Sequence, residues 1–274
     1  MKSSNGDRIF SGSIAQLYEQ YLVPLIFDPY ATDLANRLAS LQPSAILEIA
    51  AGTGAVTRHM ADQLPADVSI IATDLNQPML DHAMSIGTSR SVTWQQADAM
   101  SLPFGDGTFD AVVCQFGAMF FPDKAAAFAE ARRVLRPGGT FLFNVWDRIE
   151  DNEFAACVTQ AMAGLFPTDP PRFLARLPHG YYDQTVISAA LAHSGFTSTN
   201  TFDTVTAQSP AESPRIVAIA YCQGTPLRNE IEARDASILG KATDIATAAV
   251  GQRFGVGRVT GKIQAIVITA TRDT

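Results

Sequence analysis

The chain's most telling chemistry lies in Ile46-Leu47-Glu48-Ile49-Ala50-Ala51-Gly52-Thr53-Gly54. An apolar strand-like run carries a carboxylate at its end and passes through a glycine turn into a helical stretch. Glycine at 52 and 54 lets the backbone turn tightly and lets a ligand come close, because a Cβ would restrict the dihedrals or fill the space. No Lys-Ser/Thr follows, so this is not a phosphate-cradling loop, and the third glycine of a dinucleotide fingerprint is absent. Glu48 would repel a pyrophosphate but suits a cation or an ammonium group.

A second run, Val68-Ser69-Ile70-Ile71-Ala72-Thr73-Asp74, ends in an acid 22 residues after Gly52. That separation places a carboxylate on a ribose diol. S-adenosylmethionine combines these requirements: it has a sulfonium, an α-amino group and a ribose diol, and no phosphate. Three further signals follow in order: Val92–Ala99 with Leu102-Pro103-Phe104, Phe109–Gly117, and Ala131-Arg132-Arg133-Val134-Leu135-Arg136-Pro137-Gly138-Gly139. Together, over residues 44–147, the chain resembles the class I S-adenosylmethionine-dependent methyltransferases, in their ubiquinone/menaquinone-biosynthesis-like group of small-molecule enzymes. The resemblance implies cofactor binding by Glu48, the turn Ala50, Gly52, Thr53 and Gly54, then Asp74, Leu75 and Met79. Asp98 would accept from the adenine amino group and the Ala99 amide would donate to the ring, with Gln115 and Phe116 beside the cofactor. One position departs from the family, which usually has glycine where Ala50 stands. Each motif alone also has a plain structural reading, as a tight turn, a helix cap or a loop former.

The elements that must hold these residues read as an α/β fold. Strand-like runs at 45–50, 68–73, 92–97, 109–115 and 140–146 alternate with helical stretches at 55–64, 76–86 and 123–135. This predicts a doubly wound, mostly parallel sheet with ligands at the carboxyl ends of the strands. The resemblance completes it as a Rossmann-like sheet of seven strands with an antiparallel last strand, here Ile263–Thr269. Residues 8–42 read as helical, giving an N-terminal cover over 1–43 ahead of a methyltransferase domain over 44–274. A helix at about 151–165, a loop with Pro167, Pro170, Pro171 and Pro178, a helix from Asp183 to Ser194, a strand at 196–206 and two helices within 210–258 follow. Segments 148–182 and 207–258 are expected to be helical cap insertions over the substrate.

Composition narrows the partners. With 274 residues and 47% apolar composition the chain can bury a large core. A net charge of −7 argues against nucleic acid, whose phosphates need clustered Lys and Arg. Three cysteines without CxxC spacing suggest a reducing compartment, and no run is long enough for a membrane span. A cytoplasmic protein is expected. The four histidines are too scattered for a metal cluster, so no metal is expected.

Methyl transfer from a sulfonium is an in-line displacement that positioning and water exclusion can largely drive. A hydroxyl or activated-carbon acceptor needs a base as well. Tyr18, Tyr21 and His179 are the candidates, with Tyr181 and Tyr182 nearby in sequence; packing is the plain alternative for each. The expected activity is methyl transfer to a small-molecule acceptor. A nicotinamide-dependent oxidoreductase, for which Asp74 would also serve, and a non-catalytic cofactor-binding protein are the alternatives.

Overall fold

The structure, a computed structural model, describes residues 13–198 and 200–273. Seven strands form one sheet: β1 (Ala45–Glu48), β2 (Ser69–Asp74), β3 (Thr93–Gln96), β4 (Phe109–Gln115), β5 (Leu135–Trp146), β6 (Thr201–Ala211) and β7 (Val259–Thr271). Their order is β3-β2-β1-β4-β5-β7-β6. The pairs β1–β2, β1–β4, β2–β3 and β4–β5 are parallel, with Glu48 opposite Ala72 and Val113. The last strand runs antiparallel: Gly138 N donates to Arg272 O, and Arg272 N returns a bond to Gly139 O. Ile46, Leu47, Val112, Val113, Phe141, Leu142 and Phe143 are fully or almost fully buried, as expected for central strands covered on both faces.

The helices are α1 (Ser13–Leu17), α2 (Asp28–Leu41), α3 (Ala55–Gln63), α4 (Gln77–Ile86), α5 (Lys124–Val134), α6 (Glu153–Leu165), α7 (Phe173–Arg176), α8 (Gln184–His193), α9 (Pro214–Gln223), α10 (Leu227–Arg234) and α11 (Leu239–Phe254). Local chemistry starts several of them. Asp123 caps α5 by accepting from Ala126 N at 3.0 Å, and Asp183 caps α8 through Thr185 N at 2.8 Å. Arg132 and Arg133 stand in the last turn of α5, where cations oppose the helix dipole.

The chain divides into two compact units. One comprises residues up to Phe27, Trp146–Gly180 and Val205–Ala265. In it α6 and α9 pack on α11, burying Phe154, Val158, Val217, Ala246 and Val250. The other comprises Asp28–Val145, Tyr181–Thr204 and Ile266–Thr274. Its core includes the rings of Phe128, Phe141, Phe143 and Phe196, with neighbouring centroids between 4.7 and 5.9 Å apart.

The sequence reading needs correction in five places. Residues 8–42, expected to be helical, are so from Ser13 in three pieces: α1, a π-helical stretch Tyr18–Phe27 and α2. Pro24 lies inside the π stretch, where the wider turn absorbs its missing donor; Phe10 lies outside the described residues. The Arg136-Pro137-Gly138-Gly139 turn belongs to β5, which begins at Leu135 rather than 140. There the register slips between Phe109 and Ala111, and a Cβ on Gly139 would stand 2.8 Å from Arg136 O. The proline-rich loop contains α7. Residues 210–258 hold three helices, not two, because Pro226 starts α10 soon after α9 ends. β6 begins at Thr201, five residues later than expected.

Candidate functional site

Because β1 to β4 are parallel neighbours, Glu48, Asp74, Asp98 and Gln115 all arrive at the carboxyl end of the sheet, in one unit. The loop after β1 is stitched to its neighbours by backbone bonds. Ile49 N donates to Val113 O, Ala51 N to Thr73 O, and Gly54 N to Ala51 O, at 2.9, 2.9 and 3.0 Å. Thr73 Oγ1 donates to Glu48 O at 2.9 Å and Arg58 to Thr53 O at 2.7 Å. Ala50, Gly52 and Gly54 all have left-handed φ, of 54°, 58° and 82°. Gly54 also needs its missing Cβ, which would stand 2.7 Å from the Trp94 ring, so α3 starts tight against β3.

Glu48 is 1% exposed, and its Oε2 accepts from Thr57 Oγ1 on α3 at 2.5 Å. Burial pushes its carboxyl up to about 8, against the opposing pull of the Thr57 hydroxyl and Arg58. Asp74 is buried too. Its Oδ2 accepts from Gly52 N at 2.9 Å and its Oδ1 from Asn76 N at 2.8 Å, tying the glycine turn to the end of β2. Burial raises its carboxyl above the ordinary value, and those amide bonds pull the other way. Asp98, half-buried, repeats the same turn one strand further out, with Oδ1 accepting from Met100 N at 2.9 Å. Ala99 is buried beside it, Leu75 is 45% exposed just past Asp74, and Met79 is buried in α4.

At the end of β4, Gln115 is half-buried and its Oε1 is enclosed without a hydrogen-bond partner; the same is true of Thr53 Oγ1 in the glycine turn. Phe116 turns left-handed at φ 49°, its ring edge-on to Tyr30 at 5.3 Å. Asn144, opposite Gln115 on β5 and fully buried, holds that turn by accepting from Phe116 N at 2.9 Å. The sequence reading missed Asn144, although one amide in the apolar run Phe141–Trp146 was its signal.

Tyr18, Tyr21 and His179 lie in the other unit. Tyr18 stacks on Phe27 at 5.0 Å and Tyr21 is half-buried. His179 is 5% exposed beside the Trp146 ring, and its Nδ1 donates to Asp147 O at 2.8 Å. A carbonyl only accepts, so Nδ1 holds the proton and Nε2 the lone pair. Burial lowers this imidazole to about 4. Tyr181, by contrast, shares a unit with the glycine turn; its ring lies under the Lys124 ammonium at 4.6 Å and its buried hydroxyl has no partner. Among the described residues no three His, Cys, Asp or Glu side chains gather as a metal site.

Residues 47–143 match the family model of the methyltransferase domain. The chain is 34% identical to the malonyl-[acyl-carrier protein] O-methyltransferase of Geobacter sulfurreducens, over 65% of this chain and 68% of that one. It is 27% identical to the ubiquinone/menaquinone biosynthesis C-methyltransferase of Teredinibacter turnerae, over 69% of this chain and 76% of that one. In fold it is similar to a Haemonchus contortus phosphoethanolamine N-methyltransferase solved with S-adenosylhomocysteine, at TM-score 0.57 and 17% identity, covering 98% of this chain and 60% of that one. The chain belongs to the class I S-adenosylmethionine-dependent methyltransferases, in the ubiquinone/menaquinone-biosynthesis-like group. It is an enzyme that transfers a methyl group from S-adenosylmethionine, and nothing supports the oxidoreductase alternative. The residues present fit that cofactor: two buried carboxyls end β1 and β2, and enclosed, unpartnered oxygens of Thr53 and Gln115 stand at the same strand ends.

Proposed function

We propose that the acceptor is a small molecule and that the residues at the carboxyl ends of β1 to β4 hold the cofactor. The buried carboxyl of Glu48 carries the reading, because a wholly enclosed acid is costly to ionise even with Arg58 near, and a cationic ligand would lower that cost. The cofactor supplies a methyl group already activated by its sulfonium. Glu48 meets the cationic amino-acid end, Asp74 binds the ribose diol, and Asp98 with the Ala99 amide reads the adenine. Leu75 and Met79 supply apolar surface to the base, the turn from Ala50 to Gly54 receives the amino-acid end, and Gln115 and Phe116 border the same end. The small-molecule acceptor is supported by the net charge of −7, which disfavours phosphate-rich partners, and by the name of the ubiquinone/menaquinone C-methyltransferase relative.

Where the acceptor must lose a proton, His179 is the first of the three base candidates on its chemistry. Its Nδ1 bond to Asp147 O leaves Nε2 as the accepting atom, and it is uncharged at neutral pH. Tyr18 and Tyr21 are the other two, and segments 148–182 and 207–258 supply acceptor selectivity. No described helix is long and apolar enough to cross a membrane. The buried, unpaired thiols of Cys114, Cys157 and Cys222 support a cytoplasmic setting. Calorimetric titration tests the cofactor site: S-adenosylhomocysteine should bind wild type and lose affinity in Glu48→Gln, while NAD should not bind. Turnover against a panel of phenolic, carboxylic and amine acceptors tests the rest. Tighter binding of NAD than of S-adenosylhomocysteine would overturn the site.

A further inference from the structure

β1 and β4 are parallel neighbours, and each is followed within two residues by a non-glycine residue in left-handed backbone, Ala50 at φ 54° and Phe116 at φ 49°. The next residue, Gly117, is buried and has a φ of −96°, open to any amino acid, so its dihedral does not call for glycine. Space does. A Cβ on Gly117 would stand 2.6 Å from the Cβ of Ala50 and 2.8 Å from Cys114 Sγ, closer than real Cβ atoms come. Only one methyl group fits between the two turns, and this chain carries it at residue 50. Gly117 O also accepts from Phe120 N at 2.9 Å, starting the 3-10 turn Ala118–Phe120. Asn144 anchors Phe116 from the other side. Pushing Gly117 away from Ala50 would therefore displace the whole turn after β4, including Gln115 and Phe116.

We propose that Ala50 and Gly117 are a complementary pair, the methyl of one seated in the hollow left by the other, and that the pair sets the spacing of the two turns receiving the amino-acid end of the cofactor. Gly117 is thus a positioning residue that acts through Ala50. It rests on the cofactor site proposed above. The pair explains how alanine stands at position 50: the room its methyl needs comes from a glycine 67 residues away.

The test is a substitution cycle in a Cys114→Ala background, which removes the second clash together with the thiol's bonds to the Gly117 and Ala118 amides, so the background's own affinities and midpoint are the reference and Ala50 is the remaining obstacle. Affinities for S-adenosylhomocysteine and for 5′-methylthioadenosine, which lacks the amino-acid portion, are measured by calorimetry alongside thermal midpoints. Adding Gly117→Ala should weaken S-adenosylhomocysteine about tenfold or more, the worth of one hydrogen bond to its charged amino-acid end, and methylthioadenosine much less. Adding Ala50→Gly as well should return S-adenosylhomocysteine to within about threefold of the background, a coupling expected only of residues in contact. Failure of Ala50→Gly to restore affinity, or equal weakening of both ligands, overturns the pair. If the Gly117→Ala protein does not fold, recovery of the thermal midpoint by Ala50→Gly supports the pair and lack of recovery overturns it. If the unsubstituted protein binds neither ligand, the cofactor reading fails, and the midpoints still decide the pair.

Discussion

Replacing Glu48 with glutamine should make the ligand-free protein more stable and the cofactor bind worse. Burial lifts the Glu48 carboxyl from 4.5 to about 8. Between those values the folded state binds a proton that the unfolded chain has lost, so stability falls as pH rises, by about 1.4 kcal/mol per pH unit. At pH 7 the accumulated penalty is about 3 kcal/mol, and above pH 8 it is complete. Glutamine does not titrate, and its amide oxygen can still accept from Thr57 Oγ1, so Glu48→Gln escapes the penalty. At about 2–4 °C per kcal/mol for a chain of this size, the variant should melt roughly 6–12 °C above wild type at pH 7.

A second buried group titrates in part of that window with the opposite sign. His179 is lowered to about 4 from 6.5, so in that range the unfolded chain holds the extra proton and stability rises with pH. The two slopes offset each other below pH 6.5; from there to about 8 the Glu48 effect is the difference between the two proteins, since the raised Asp74 carboxyl is common to both. The assay is therefore thermal melting of both proteins from pH 6.5 to 9 without ligand, paired with calorimetry of S-adenosylhomocysteine in buffers of different ionisation enthalpy. Wild type should release a proton on binding, because the ligand's ammonium favours the ionised carboxyl, and Glu48→Gln should not. Equal pH slopes for the two proteins, or a less stable variant at pH 8, would refute the reasoning.

Asp74→Ala should weaken S-adenosylhomocysteine by about 1.5–3 kcal/mol, the worth of hydrogen bonds to a charged acceptor. Calorimetry checks it, and unchanged affinity would move the ribose contact elsewhere. Asn144→Leu leaves Phe116 N–H buried without its acceptor, so urea unfolding should show a loss of about 1–3 kcal/mol. His179→Gln removes the acid-side titration, and its melting midpoint between pH 6.5 and 4.5 should fall less than that of wild type. A parallel fall in both proteins would mean that His179 is protonated in the folded state.

What the sequence revealed and what it hid divide along one physical line. Glu48, Gly52 and Asp74 announce themselves because a strand, its turn and the next helix are contiguous, so hydrophobic period and turn chemistry sit side by side in the chain. The parallel sheet follows from the same alternation, and its strands lie within a few residues of where periodicity puts them, apart from the start of β5 and both ends of β6, which runs to Ala211 rather than 206. The early start of β5 was hidden because a proline and two glycines read as a turn, while the opposite strand supplies a register slip that keeps them in the sheet. Pro24 likewise falls within the helical reading of residues 8–42, and the π-helical stretch around it carries no local signature. Asn144 and Gly117 were hidden for a different reason. Asn144 acts on Phe116 across 28 residues and Gly117 meets Ala50 across 67, both through strand pairing that no local pattern encodes. The same pairing bears on the departure at residue 50. Taken along the chain, alanine there is a lost glycine; across the sheet, the missing Cβ lies in the turn after β4, and the two ends of neighbouring strands share a single methyl group.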